Sequence, residues 1–455
     1  MWIGLLFSMI CLASFAFEDA QLSQIDTYRE KVVQCLIRGE YTKAGPHALE
    51  TLCHYIHVEF SRQPDAPGDL WFLQGLALNM ARRAGYHRDP KSFSISSDGK
   101  MKMTMLEIEM RRRLWASLLV GDVLISSQMG MPCMIAPSQW DTQEPKNFDD
   151  HDLEVEDLSK QTSPAATMPL RSPRPESEYT RALSVIAGRR LCVAVNAISS
   201  AANNPDSTHA DATRLDHLLN QAGEEIPAVL RMRSMETSIA DSPQVIMSRL
   251  FLAHIFHKGK IMLHRRYLHA PETSPAPSNR RPFEKEYFSR KACLDSSLSI
   301  LDIQRILDEE TRPGGQLQVM RWRVSSIMNH QFLTATMILC SLLYRGGSIS
   351  QEEKQTVKDA LSRSRSVWVQ SSSWSQEAKR ATEVIGAVLS KASDLRMEGQ
   401  RPDDSATDGK DQPLTEGLSK NHVLVDSAIP SNSQVEIRSE TSCFDGECAR
   451  RQIIP

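Results

Sequence analysis

Net charge of either sign is scarce here: 53 Lys and Arg face 56 Asp and Glu, leaving -3 over 455 residues. Bulk charge therefore does not draw this chain to nucleic acid, although a local basic patch is not excluded. No alternation of apolar and polar residues marks a strand, and no segment repeats. The glycines form neither Gly-x-x-x-x-Gly-Lys nor Gly-x-Gly-x-x-Gly, which removes the phosphate-cradling loops, and no Gly-x-Ser-x-Gly elbow occurs. His254 and His257 stand three apart with His264 beyond, but the Glu of a His-Glu-x-x-His zinc helix is missing, so they read as core or surface histidines. Asp149, Asp150, Asp152, Glu154, Glu156 and Asp157 lack the glycine and spacing of a calcium loop and read as a solvated run. No catalytic, cofactor or metal set emerges, and the chain reads as a non-enzyme.

Cysteine is present without a framework. The nine cysteines are scattered, odd in number and mostly inside apolar helical runs, which suits a reducing compartment. Cys443 and Cys448 are the one close pair; a pair is half a zinc site at most, and they read as incidental.

What the chain has is helix. Its 41% apolar content is enough for a sizeable core. Asp69 is placed to cap a helix carrying Trp71, Gly75 and Leu78; Gly85 is placed to end it, and Pro90 prevents a restart. A second helix opens at Thr104 with Glu107 three residues on, a capping-box pattern, and runs to about Gln128 before Gly130 and Pro132. At roughly 25 residues it is ~37 Å long. Arg111, Arg112 and Arg113 splay over ~200° of this helix, so they cannot all face one phosphate backbone. Arg112 or Arg113 is expected to pair with Asp122 or with a carboxylate of the Asp149 loop. His87 and Arg88 follow a helix C-terminus, where a cation is favourable.

These pieces occur in a particular order: Ala84-Gly85-Tyr86-His87-Arg88-Asp89, then Arg111-Arg112-Arg113-Leu114-Trp115, Asp122, Gly130-Met131-Pro132, and Asn147-Phe148-Asp149-Asp150. The ordered set resembles the middle homology region of the fungal zinc-cluster transcription factors. Leu263-His264-Arg265-Arg266-Tyr267-Leu268 resembles a later segment of that family, with Arg266 where proline is usual. The resemblance spans roughly residues 5–395. It implies an all-α, multi-helix regulatory domain in a nuclear regulator of RNA polymerase II genes. Trp71, Gly75, Gly85, His87, Arg88, Arg112, Arg113, Trp115, Asp122, Gly130, Pro132, His264 and Arg265 are its motif residues, with structural roles. The family's Cys-x2-Cys-x6-Cys DNA-reading cluster does not appear, and the chain is expected to begin inside the regulatory domain. No cofactor is expected in this chain, and zinc only with such an N-terminal cluster. DNA is expected only through that module or a partner. The transcription machinery, a homo- or heterodimer and a small-molecule effector are the other partners it implies.

The rest is read in order. Trp2 to Phe17 is a core helix or, alternatively, a signal or anchor lacking a basic n-region. Helices are expected over 23–38, 43–60, 179–199, 211–229, 245–269, 291–307, 323–344 and, once or twice, 351–395. The division is 1–158 and 179–396 as two parts of one domain, a Pro/Ser-rich linker at 159–178, a second such loop at 271–282, and a disordered tail at 397–455. Two other readings stay open: a helical interaction protein without DNA binding of its own, and a secreted or anchored helical protein.

Overall fold

The computed structural model describes residues 1–15, 22–43, 45–63, 65, 68–93, 103–153, 172–204, 206–268, 281–345 and 349–398. Among them no strand occurs. Twelve long α-helices carry the chain: α1 Trp2–Ser14, α2 Leu22–Arg38, α3 Ala48–Arg62, α4 Asp69–Arg83, α5 Met105–Gln128, α6 Arg181–Ala202, α7 His209–Glu224, α8 Pro243–His264, α9 Arg281–Glu310, α10 Ser326–Arg345, α11 Gln351–Ser371 and α12 Gln376–Glu398. The all-α class is as expected. The tail with Cys443 and Cys448, residues 159–171 of the first excursion, 271–280 of the second, and Glu154, Glu156 and Asp157 of the acidic run lie outside the described residues.

Two apolar cores share one helix. Leu52, Leu78, Trp115, Leu119, Leu191, Val195 and Leu219 belong to the first, which α2 to α8 enclose. Ile300, Phe332, Leu339, Leu361 and Ile385 belong to the second, among α8 to α12. Helix α8 gives Leu252 and Ile255 to the first core and Met247, Leu250 and Ile261 to the second. A helix covered on both sides needs apolar residues on more than one face, and α8 has them, with Arg249, His254, Lys258 and His264 buried among them. Helices α6 and α10 are long and apolar enough to cross a membrane, yet 72% of each apolar window is buried in the bundle, as in a core helix.

Several boundaries differ from expectation. Helix α3 starts at Ala48 rather than near residue 43, because His47 adopts a left-handed conformation with φ 64°. Helix α7 stops at Glu224, and α8 stops at His264, where Arg265–Tyr267 continue as a 3-10 turn. Helix α9 begins at Arg281 inside the expected loop; Pro282 then falls in the first turn, where a missing N–H costs nothing. Helix α1 buries Gly4, Ser8 and Cys11 against α2 and α3, while Trp2, Ile3, Leu6 and Met9 are exposed.

Candidate functional site

Helices α4 and α5 end in the same way. Gly85 and Gly130 have φ of 75° and 66°, a conformation that costs a Cβ-bearing residue energy. Past each glycine the chain reaches back: Tyr86 N–H donates to Ala81 O at 3.0 Å and Met131 N–H to Ser126 O at 2.8 Å. Both are Schellman closures. The start of α5 is the expected capping box of Thr104 and Glu107. The start of α4 is not as expected: Gly68 is the N-cap, no side chain caps the helix, and Asp69 lies one position inside, in the first turn.

The segment after α5 is irregular, so its backbone must find partners elsewhere. Asp122 supplies two of them. Its carboxylate accepts from Met134 N–H at 3.0 Å and Ile135 N–H at 2.8 Å, and from the Ser126 hydroxyl at 3.0 Å. Burial pushes its pKa up against the pull of these donors. The expected pairing of Asp122 with Arg112 or Arg113 does not occur. Ten residues separate Arg112 from Asp122 along one helix, about 15 Å of rise, so they cannot meet. Gly75 serves the same segment: a Cβ there would stand 3.2 Å from Met134 Sδ.

Each of the three consecutive arginines has its own partner. Arg111 donates to Ala84 O at 2.6 Å, capping the C-terminus of α4, and lies 4.1 Å over the Tyr86 ring. Arg112, 1% exposed, is bidentate to Asp89 with both bonds at 2.9 Å, and reaches Glu109 at 3.1 Å. Burial would raise Asp89, but the Arg112 bonds and the N–H groups of Gln143 and Lys91 hold it below the usual carboxylate range. Glu109 in turn accepts from Lys146 N–H at 2.8 Å. Arg113 donates to Asp150 at 2.6 Å and to Phe148 O at 2.7 Å, the expected pairing with the Asp149 loop. That loop is less solvated than its charge implied: Asp152 is buried and binds Arg174 through both oxygens.

Arg88 pairs with Asp141 at 3.0 Å. The His87 ring lies 6.3 Å from that of Trp115, a fully buried side chain also beside Trp140. Trp71 donates to Ser126 Oγ at 3.3 Å. Pro132 stands just past the Gly130 closure. Eleven of the motif residues thus lie along the α4–α5 pair and the segments that leave it. His264 and Arg265 lie apart: His264 bonds Asp216 at 3.0 Å and Ser289 at 3.1 Å. Lys260 also donates to Asp216 at 2.6 Å; burial opposes the charge, but these two partners hold the Asp216 carboxyl down at about 2.

Two cavities open against α8. The larger, about 310 Å³, is mostly apolar, with Ile56, Leu118, Leu124, Met247 and Phe251 in its wall and His57, Gln74 and Arg323 as polar groups. Burial, then Arg323 and His54, push His57 down to about 4. The smaller, about 120 Å³, is lined by Lys258, Arg265, Gln331, Gln128, His330 and Thr334 among others. Lys258 is 4% exposed and, among the described residues, its ammonium bonds only Gln331 Oε1, at 3.3 Å. Burial, with Arg265 beside it, pushes Lys258 down to about 8. Lys258 and Gln331 carried no signal in the sequence, since each lies in an apolar helical run and looks like a surface position. His254 is fully buried with neither ring nitrogen bonded among the described residues, its ring perpendicular to that of Phe332 at 5.7 Å, and burial lowers it to about 3. Among the described residues no group of His, Cys, Asp and Glu is arranged to hold a metal.

A family model described as the fungal specific transcription factor domain matches residues 3–188. The equisetin cluster transcription factor of Fusarium heterosporum is 36% identical over 414 residues, 86% of this chain and 55% of that protein. The fusarisetin A cluster transcription factor of a Fusarium species is 35% identical, over 86% of this chain and 51% of its own length. A Zn(2)-C6 fungal-type transcription factor of Monascus ruber is 34% identical, over 86% and 47%. The chain thus spans about half the length of the curated relatives it matches. No solved structure matches.

Proposed function

We propose, for a chain that carries the fungal specific transcription factor domain, that it is the regulatory part of a transcription regulator. It acts in the nucleus on RNA polymerase II genes. Its relatives are named for biosynthetic clusters, and its own targets are the genes of such a cluster. Residues 1–158 and 179–396 serve as one domain.

One observation carries this reading: the motif's charges are spent inside the fold. Arg111, Arg112 and Arg113 are engaged by Ala84, Asp89, Glu109 and Asp150, leaving no cation of that cluster for a phosphate backbone. The motif therefore builds a scaffold, and DNA contact comes from a zinc-binding segment outside these residues or from a partner chain, as a homo- or heterodimer. Zinc belongs to that segment. The scaffold's work is to hold the transcription machinery or to restrain the activator until an effector binds.

Fused to an unrelated DNA-binding domain upstream of a reporter, the chain is expected to change output several-fold. A silent fusion that binds no component of the machinery would favour a helical interaction protein instead. A C-terminally tagged chain is expected in the nucleus, and entry into the secretory pathway would overturn the proposal.

A further inference from the structure

We infer that the cavity between α5, α8 and α10 is a binding site for a small oxyanion, the carboxylate or phosphate group of a metabolite, held by Lys258, Arg265 and Gln331. The argument starts from cost. A buried ammonium without a counter-charge is expensive, which is why buried lysines are paired or lose their proton. Among the described residues Lys258 has no ion pair, and its single hydrogen bond, to Gln331 Oε1, is long at 3.3 Å. It has three donors to place.

A second cation makes the cost worse. Arg265 lines the same cavity, half-buried, and no hydrogen bond or ion pair engages its side chain among the described residues. Two like charges share one wall, each disfavouring the other. The third group points the same way: Gln331 Nε2 is buried and donates to nothing. Three groups with donors left over line one space of about 120 Å³. A single oxyanion would accept from all three and cancel the charge, with bonds of the charge-assisted kind. The carboxylate that this wall does engage, Glu377, bonds His330 Nδ1 at 3.3 Å and does not line the cavity. Gln128 at the rim is fixed by its bond to Ser326 O at 3.3 Å.

The comparison with other buried cations sharpens the contrast: Arg112 is given two carboxylates, and Arg189 and Arg249 one each, whereas Lys258 is given none among the described residues. The site deepens the regulator reading by giving an effector its chemical class, yet it is tested on binding alone. Failure here leaves the reporter result untouched, and the reverse holds.

Thermal shift and calorimetry on the purified chain would compare sodium succinate and inorganic phosphate with sodium chloride at matched ionic strength. At least one of the two anions is expected to raise the midpoint saturably. The one that saturates at lower concentration assigns carboxylate or phosphate. Arg265→Gln should weaken that binding by about tenfold to a hundredfold, the value of a charged hydrogen bond. Lys258→Met should raise the midpoint in chloride, because a buried charge is gone, and abolish the anion's increment. Should that variant fail to fold, Gln331→Leu, which keeps the charge and removes one donor, should reduce the anion's increment. Equal midpoints in all three salts, or an increment unchanged in Arg265→Gln, would overturn the assignment.

Discussion

Arg112 and Lys258 are both buried cations, one at the α4–α5 corner and one on α8, and the protein treats them differently. Around Arg112 two carboxylates close in, and the backbone of the exit segment satisfies what remains of their oxygens. Around Lys258 there is one amide oxygen and a second cation. A network with every member satisfied holds a fold in register, whereas donors left facing a cavity are poised for something that arrives later. The first region is architecture and the second is an opening in it.

The largest effect should come from breaking the closed network. Arg112→Ala leaves Asp89 and Glu109 buried without their cation and should cost about 3–5 kcal/mol, read by denaturant unfolding. A loss below about 1 kcal/mol would mean the network contributes little. The double variant Arg112→Met with Asp89→Leu should cost clearly less than the sum of the single changes, because Glu109 is then the one carboxylate of the network left without its cation.

Next in size is the Asp216 cluster. Its carboxyl is held down at about 2, against an ordinary value near 3.8. A carboxylate depressed by folding adds stability above its unfolded pKa, and that stability is lost as pH falls through the folded value. Asp216 should therefore contribute about 2 kcal/mol at neutral pH, and this should disappear between about pH 4 and 2. The stability gap between the native chain and Asp216→Asn should shrink across that window; a gap unchanged at pH 2 contradicts the pairing with His264 and Lys260.

The smallest effect belongs to Arg113→Ala. Its partner Asp150 is half-exposed, so the ion pair is screened, and the bond to Phe148 O carries part of the value. About 1 kcal/mol is expected, a drop of a few degrees in the thermal midpoint. No change in midpoint would show that the arginine is dispensable. Lys258→Met should move in the opposite direction to both arginine changes, and that reversal is what separates the two regions most sharply.

Much of the α4–α5 corner was legible because its signals are local. A capping box spans four residues, and a glycine closure spans six, so Thr104, Glu107 and Gly85 announced themselves. The pairing of Arg113 with the Asp149 loop followed from an acidic run placed where the chain returns. Asp122 was misread for want of a distance: along α5 it is too far from the arginines, and it turned instead to the N–H groups of an irregular segment whose needs no pattern records. The true partner of Arg112 is Asp89, next to Arg88 in the most recognisable stretch of the chain, yet only the packing of α4's exit against α5 brings it within 2.9 Å.

By itself, then, the sequence determined the all-α class, most helix ends and the identity of the corner residues, because periodicity and capping act within a turn or two of helix. Tertiary structure decided which charge meets which, that α8 lies between two cores, and that Lys258, Arg265 and Gln331 share a cavity. Those are relations between residues distant in the chain, Lys258 and Gln331 being 73 positions apart. The chain writes no local signal for them, since the energy that fixes them is the burial of the helices that bring them together.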